Sequence, residues 1–314
     1  MKKKSIQLTI GMMVYNEEKY IGEAIESLLN QTYKEFIFII SDNASTDRTS
    51  EICKYYAEKD KRIIFVRHAK NQGLFHSFKY VLNRTDTNFF MVCSGHDKWQ
   101  SDFIEKLLPI IQKEKLILIY PKTREIKMDG KMGEVYEEDY TTVGIENPTS
   151  RYLYVLKNMG MCNAVYGIWK TKIIKDCCIK KSIIAGDVFM VLKATFSGKF
   201  KQYKEILFLR RIVRKETDQY SRQIRYADGE DNKNSTNIFS LKNKFVWENI
   251  KMLYEKELSL NFFEKIFLTI QTIYIWSKKL YIRLFLISVL KKILPTNLYY
   301  FLENKFKNKV KKYL

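Results

Sequence analysis

The chain reads as an α/β protein, a mostly parallel sheet flanked by helices, followed by a basic amphipathic α-helical C-terminal region. Three observations lead there. Continuous apolar runs at 36–40 and 89–93 have the composition of parallel strands buried on both faces. Strand-like and helix-like patterns alternate three times before residue 94, as a sheet with right-handed crossovers requires. Residues 241–314 carry 15 Lys/Arg against 5 Asp/Glu, with aromatic and aliphatic residues at helical spacing.

The elements follow in order. Residues 7–14 form the first strand, and Tyr15, Asn16, Glu17 and Glu18 the loop leaving it. A helix is expected over 18–30, where Tyr20, Ile21, Ala24, Ile25, Leu28 and Leu29 recur at helical spacing. The second strand, 36–40, runs into SDNASTD, a loop dense in side-chain acceptors. Thr46 or Asp47 there can cap a helix over 48–59. Residues 63–66 are a third strand, Asn71-Gln72-Gly73 a turn, 74–83 a helix and 89–93 a fourth strand. Beyond it come a helix over 102–113, a strand at 116–120 and a polar, irregular stretch over 122–147. A helix over 188–196, closed by Ser197-Gly198, and a late strand over 206–213 complete this part. The pattern divides the chain into a domain at 1–215, a polar linker or mobile loop at 216–240, and basic helices at 241–314, interrupted by Pro295.

Composition narrows the function classes. With 314 residues, 46% of them hydrophobic, the chain can bury a sizeable core. A net charge of +20 implies an anionic partner, namely nucleic acid, anionic lipid or a phosphorylated substrate. A solvated lysine-rich surface is the plain alternative. Cys53, Cys93, Cys162, Cys177 and Cys178 lack paired metal spacing and read as reduced thiols of a cytosolic protein. The stretch after the basic N-terminus is broken by Gln7, Thr9 and Gly11, which suits a strand and not a signal peptide. No uncharged apolar run reaches the length of a membrane span. A GxGxxG after the first strand and a P-loop lysine are both missing, so neither nicotinamide chemistry nor P-loop hydrolysis is supported.

The loop Ser94-Gly95-His96-Asp97 follows the fourth strand, and ligands of open α/β sheets bind beyond the carboxyl ends of the strands. Gly95 lets a ligand approach the backbone, and a His96-Asp97 pair can hold a metal ion against a phosphate. The same residues can equally form a turn and cap the next helix. Arg210-Arg211 can act as bidentate phosphate donors or as structural arginines.

Four segments, LTIGMMVYNEEKYIGEAIESLLNQTY, FIFIISDNASTDRTSEI, NQG and FFMVCSGHDKW, resemble in order and spacing the family 2 glycosyltransferases of the GT-A fold. A weaker likeness continues through AGDVFMVLKATFSGKF and LFLRR, so the resemblance covers about 5–213. It implies a GT-A, Rossmann-like sheet and an inverting enzyme that moves a sugar from a nucleotide-diphosphate donor, UDP foremost, to a glycan or lipid-linked acceptor. It implies that Tyr15 and Glu17 line the base pocket, Asp42 hydrogen-bonds the base, and Lys70 and Asn71 lie near the nucleotide. Gly95, His96, Asp97, Arg210 and Arg211 would surround the diphosphate with a divalent metal, Mn²⁺ or Mg²⁺, on His96 or Asp97. Asp187 matches the catalytic base; its place after Gly186 also suits an N-cap.

The chain departs from the family pattern in places. Ser94 replaces the first acid, and His96 stands where a metal-binding aspartate is most often found. A neutral imidazole suits Mn²⁺ better than Mg²⁺. Met13 replaces a common proline, and no histidine follows Arg210-Arg211. The expected setting is cell-surface polysaccharide or glycoconjugate synthesis. The protein would be cytoplasmic and peripheral, held at the anionic inner face of the cell membrane by 241–314. A helical cap on the domain is the other reading of that tail. A degenerate GT-A scaffold is the alternative function. Nucleic-acid binding is disfavoured, because the charge is spread and no nucleic-acid module appears.

Overall fold

The computed structural model of the chain describes residues 6–179, 183, 185–213 and 238–277. Four strands, β1 (Leu8–Val14), β2 (Phe36–Asp42), β3 (Ile63–Arg67) and β4 (Phe89–Ser94), pair in parallel in the order β3-β2-β1-β4. Their crossovers are α1 (Ile21–Leu29), α2 (Thr49–Lys59) and α3 (Leu74–Asn83). The inner strands β2, β1 and β4 are mostly apolar because helices cover both of their faces, whereas the edge strand β3 is partly exposed. Leu8, Ile10, Met12 and Val14 pack with the buried faces of α1 and of α4 (Phe103–Lys113). Ile39, Phe90 and Val92 pack on the opposite face with Phe78 and Val81 of α3. Gly11 is required at the centre of β1: a Cβ there would lie 2.5 Å from the Phe90 ring and 2.7 Å from Val81.

The second half of the sheet is mixed. β6 (Leu116–Ile126) pairs antiparallel with β7 (Met132–Tyr136) and with β8 (Ile168–Lys170), and parallel with β9 (Lys199–Arg211). β8 in turn runs antiparallel to β4 and so joins the halves. The stretch 122–147, expected to be irregular, begins with the end of β6 and a hairpin into β7. The hairpin turns at Asp129-Gly130, where Lys127 N donates to Lys131 O at 2.9 Å. β7 lies off the main strand order and pairs only with β6, so it needs no apolar run.

A two-residue strand, β5 (Lys98–Trp99), positions the site. It pairs antiparallel with β9, Lys98 opposite Leu209 and Trp99 opposite Phe208. The loop after β4 is thereby fastened to the end of β9.

The remaining helices are α5 (Pro148–Asn158), α6 (Thr171–Cys177), α7 (Gly186–Ala194), α8 (Ile238–Leu253) and α9 (Phe262–Ser277). Asn147 caps α5, its side chain accepting from Ser150 N at 2.9 Å, with Pro148 in the first turn. Asn261 and Glu264 form a reciprocal cap on α9, with both side-chain-to-backbone bonds at 2.9 Å. Leu268 and Ile275 of α9 are buried, and Tyr152 of α5 shares a 2.9 Å hydrogen bond with Thr272. Lys193 of α7 pairs with Glu255 at 2.5 Å. No helix among the described residues is long and apolar enough to cross a membrane. Most of the expected linker at 216–240, and the tail beyond 277, lie outside the described residues.

Candidate active site

The loops at the carboxyl ends of β1, β2 and β4 interlock. Asn16, at φ 55°, donates its backbone N–H to Ser45 Oγ at 3.0 Å, and its side-chain oxygen accepts from Thr46 N at 2.8 Å. Glu17 N donates to Thr49 Oγ1 at 2.7 Å. Gly95 lies beneath this junction. A Cβ there would lie 3.0 Å from Val14 and 3.1 Å from both Glu17 and Ile21, so Gly95 permits close packing of two loops.

Asp42 is fully buried. One oxygen accepts from Ser45 N at 3.0 Å and from Ser45 Oγ. The other accepts from Ser50 Oγ and lies 3.5 Å from Arg67 Nε. Beside it, Asn43 Nδ2 donates to Asn71 Oδ1 at 2.5 Å, and Gln72 N donates to Asn43 Oδ1 at 2.9 Å. Asn71 is thus tied to the β2 loop, with Lys70 next to it and exposed. Tyr15 is half-buried at the end of β1.

The second cluster spans both halves of the sheet. His96 Nδ1 lies 2.9 Å from Glu17 Oε1. Burial opposes protonation of His96, but Asp97 and the Glu17 hydrogen bond outweigh it, and the imidazole is held above its ordinary pKa. Asp97 is 1% exposed; its Oδ1 accepts from Arg211 N at 2.7 Å and its Oδ2 from Ser94 Oγ. The serine that replaces the expected acid therefore serves Asp97 as a donor.

The two adjacent arginines have different surroundings. Arg211, expected at phosphate, is 4% exposed. It donates to His96 O at 2.9 Å and Glu23 Oε2 at 2.8 Å, and lies 4.3 Å from the Tyr20 ring centroid. It is a strut tying β9 to α1 and the His96 loop. Arg210 faces the other way and donates to Asn163 Oδ1 at 2.6 Å and Met161 O at 3.1 Å. Burial works against its charge, but Tyr166, Asp97, Tyr136 and Asp187 raise its pKa. Asp187 sits half-buried in the first turn of α7. The Cys162 thiol is pushed well up, first by burial and then by the charges of Asp187 and Glu138. His96, Asp97, Arg210 and Asp187 therefore occupy one neighbourhood, while Asp42 and Asn71 form the adjoining wall.

A divalent cation fits this donor set narrowly. Among the described residues, no group of three or more His, Cys, Asp and Glu could hold a metal ion. Both Asp97 oxygens are committed, as above. His96 retains Nε2, with Nδ1 held by a carboxylate in the manner of a metal-ligating histidine. The protein thus offers one imidazole nitrogen to a cation whose other ligands would come from a diphosphate and water.

Several contributors carried no sequence signal. Asn163 precedes no motif, yet it holds Arg210 and leaves its buried Nδ2 without a hydrogen-bond partner. It lines a small cleft with Thr123, Tyr136, Glu138 and Gln202. Asn43, Glu23 and Tyr20 act only through tertiary contacts.

The comparisons with known proteins place the chain in a family and support its fold. The profile described as glycosyl transferase family 2 matches residues 9–173, more than half of the chain, and the chain belongs to that family. Glycosyltransferase GlyA of Streptococcus pneumoniae is 29% identical over 130 residues, 41% of this chain and 17% of that protein. The chain therefore spans only a small part of that relative's length. Among solved structures, S. aureus TarS 1–349 in complex with UDP-GlcNAc has a TM-score of 0.61 at 16% identity, covering 87% of this chain and 71% of that one. The mannosyltransferase PcManGT of Pyrobaculum calidifontis, in complex with GDP-Man and Mn²⁺, has a TM-score of 0.53 at 12% identity, covering 97% and 80%. At these identities the likeness speaks to the fold, a curled GT-A sheet flanked by helices.

Proposed function

We propose that the protein is an inverting glycosyltransferase, moving a sugar from a nucleotide-diphosphate donor to a hydroxyl of a glycan or lipid-linked acceptor. One observation carries this reading. The His96-Asp97 loop is fastened to the loop after β1 through Glu17 and to the end of β9 through Arg211 N, and Asp97 and Asp187 both act electrostatically on Arg210 although far apart in sequence. A carboxylate near a cationic cluster at the carboxyl ends of parallel strands is what in-line sugar transfer needs.

The nucleoside sits against Tyr15, Glu17, Lys70 and Asn71, on a wall that Asp42 shapes from within. UDP is the first candidate donor nucleotide, supported by the UDP-GlcNAc bound in the TarS relative. The acceptor hydroxyl gives its proton to Asp187 as its oxygen forms a bond to the anomeric carbon. The bond from that carbon to the diphosphate oxygen breaks on the opposite face, and the nucleoside diphosphate leaves with the electron pair. Attack and departure in line invert the anomeric centre. Arg210 supplies positive charge where the diphosphate departs, and the His96 imidazolium adds to it only while no cation is held, because a metal-ligating imidazole is neutral. When bound, a divalent ion on His96 Nε2, Mn²⁺ more readily than Mg²⁺, neutralises further charge on the leaving group. We place the protein in the cytoplasm at the inner face of the cell membrane, in cell-surface polysaccharide or glycoconjugate synthesis. Five free cysteines and the basic composition of 241–314 support that location.

A binding scaffold of the same fold is the second reading, favoured by Ser94 and by the enclosed carboxylate of Asp97. The test is incubation of the purified chain with UDP-, GDP- and dTDP-sugars, with Mn²⁺ or EDTA, while free nucleoside diphosphate is followed. Release from one donor class is expected. Binding without release in the presence of acceptor extracts would establish the scaffold, and no binding of any donor would overturn both readings.

A further inference from the structure

Asn163 is held in place by the sheet around it. It opens a 3₁₀ turn, Asn163–Tyr166, directly after Cys162, whose backbone is left-handed at φ 55°. Ala164 N donates to Tyr140 Oη at 3.2 Å, and Trp169 Nε1 to Val165 O at 3.0 Å, so the turn is pinned at both ends. Gly167 closes it where a Cβ would lie 2.3 Å from Ile119 O. Asn163 itself is 6% exposed.

The two ends of its amide differ. Oδ1 accepts from Arg210 Nη1 at 2.6 Å, and the same nitrogen donates to Met161 O at 3.1 Å. A guanidinium has donors only, so the amide oxygen must face it and the amide nitrogen is turned away. That nitrogen, Nδ2, is buried and has no hydrogen-bond partner among the described residues. A buried donor left unmet is costly, and it persists where a ligand meets it. Ser77 Oγ and Trp99 Nε1 are also unpartnered, but neither residue lines the cleft that Asn163 shares with Thr123, Tyr136, Glu138 and Gln202.

The chemistry of that cleft selects the group that meets the donor. Glu138 lines it, with Oε1 accepting from Met161 N at 2.5 Å, so a phosphate oxygen there would face a carboxylate. A hydroxyl avoids that repulsion, because it accepts from an amide nitrogen and donates to a carboxylate or amide oxygen. Arg210, which Asn163 holds, stands at the diphosphate in the function proposed above. The hydroxyl-bearing group next to the diphosphate of a nucleotide sugar is the sugar to be transferred.

We propose that Asn163 reads the transferred sugar: its amide oxygen orients Arg210, and its amide nitrogen donates a hydrogen bond to a hydroxyl of that sugar. This deepens the transferase reading and rests on it. A nucleoside diphosphate alone leaves the donor unmet, and a nucleotide sugar satisfies it. Binding of the leaving group and of the group that moves is thereby linked through one side chain.

The experiment is calorimetric titration of the full-length chain, in Mn²⁺, with UDP-GlcNAc, UDP-glucose, GDP-mannose and dTDP-glucose, and with UDP, GDP and dTDP. It uses wild type, Asn163→Asp and Asn163→Ala. Aspartate keeps an oxygen for Arg210 and removes the donor. For the nucleotide that binds, Asn163→Asp is expected to lose at least about tenfold in affinity for the nucleotide sugar relative to the nucleoside diphosphate. The added charge does not mimic this loss, because the free diphosphate carries more negative charge than its sugar ester and is repelled more. Asn163→Ala should show the same loss and also bind the diphosphate more weakly, since Arg210 loses its support. Thermal unfolding of Asn163→Asp should not fall below wild type, as an unmet donor gives way to a carboxylate beside a guanidinium. Where it does fall, Asn163→Ala decides. An unchanged ratio in the variants would overturn the contact, and equal losses for both ligands would overturn it too, leaving Asn163 only a support for Arg210. A wild type that binds nucleoside diphosphate and nucleotide sugar equally well would also overturn it while leaving the nucleotide site standing. No binding of any of these ligands to the wild type would overturn the transferase reading itself.

Discussion

Residues 8–94 and residues 98–211 build the two halves of one sheet by different rules. In the first half the four strands pair with one another in parallel, and the three inner ones, β2, β1 and β4, are largely buried, with their functional side chains in the loops at one end. In the second half strands run both ways, β9 is thirteen residues long with many polar positions, and β5 has only two residues. The first half supplies a shelf with interlocked loops along one rim. The second supplies Arg210, held by Asn163, and Asp187 on α7, and its β9 end is tied to the loop after β4 through β5–β9 pairing. The site belongs to the seam and to neither half alone.

Changes on the two sides of that seam should separate chemistry from construction. The largest effect is expected for Asp187→Asn, which removes the proposed base and leaves the first half untouched. Turnover should fall about a hundred- to ten-thousand-fold with donor affinity retained, as a progress curve and a donor titration would show. Unchanged turnover would leave Asp187 only a favourable charge in the first turn of α7, where Ala185 and not Asp187 takes the cap position. Next comes Arg211→Ala, which strips the strut between β9, Glu23 and the His96 carbonyl. A loss of about 2–4 kcal/mol in unfolding free energy by urea titration is expected, discounted because Glu23 is half exposed. A cost below about 0.5 kcal/mol, the range of ordinary surface changes, would mean that the halves are joined elsewhere.

Gly11→Ala tests the shelf by itself. The added methyl must displace the Phe90 ring, so about 1–3 kcal/mol of stability should be lost, with donor affinity per folded molecule little changed.

The smallest expected effects come from two histidines with opposite signs. His68, in the first half, shares a 2.8 Å hydrogen bond with Ser41 and is held below its ordinary 6.5, mainly by burial and then by His76. The unfolded chain therefore takes up this proton first, and the His68 contribution is lost as pH falls from 6.5 through its lowered value. His96, at the seam, is held above 6.5, so its contribution is complete below 6.5 and is lost as pH rises through the raised value. His68→Gln should flatten the acid limb of a stability–pH profile, and His96→Gln the limb above 6.5. The reverse assignment would contradict both environments.

The same division explains what the sequence made legible. Buried parallel strands read as continuous apolar runs, so β1 to β4 and their helices were evident from composition alone. The hairpin at 122–136 had a signal in Asp129-Gly130, but its polar flanks concealed the strands. β5 had none, because two residues hold no period, and its existence depends on β9 more than a hundred positions later. Among site residues, those in strand-end loops were legible because their loops are contiguous in sequence. The contrast between Arg210 and Arg211 was not, since adjacent residues on a strand point to opposite faces and only the fold says which face is the site. Ser94 looked like a lost acid; its role as donor to Asp97 depends on a turn geometry that residue type does not encode.

The central claim is that a nucleotide-sugar site lies at this seam with His96 on the diphosphate side. Calorimetric titration of UDP, GDP and dTDP into wild type and His96→Ala, each with and without Mn²⁺, tests it most directly. The account predicts that one nucleoside diphosphate binds the wild type, that Mn²⁺ strengthens binding, and that the strengthening disappears in His96→Ala while metal-free binding survives. Equal strengthening by Mn²⁺ in both proteins would move the cation away from His96, and no heat from any nucleotide would contradict the site itself.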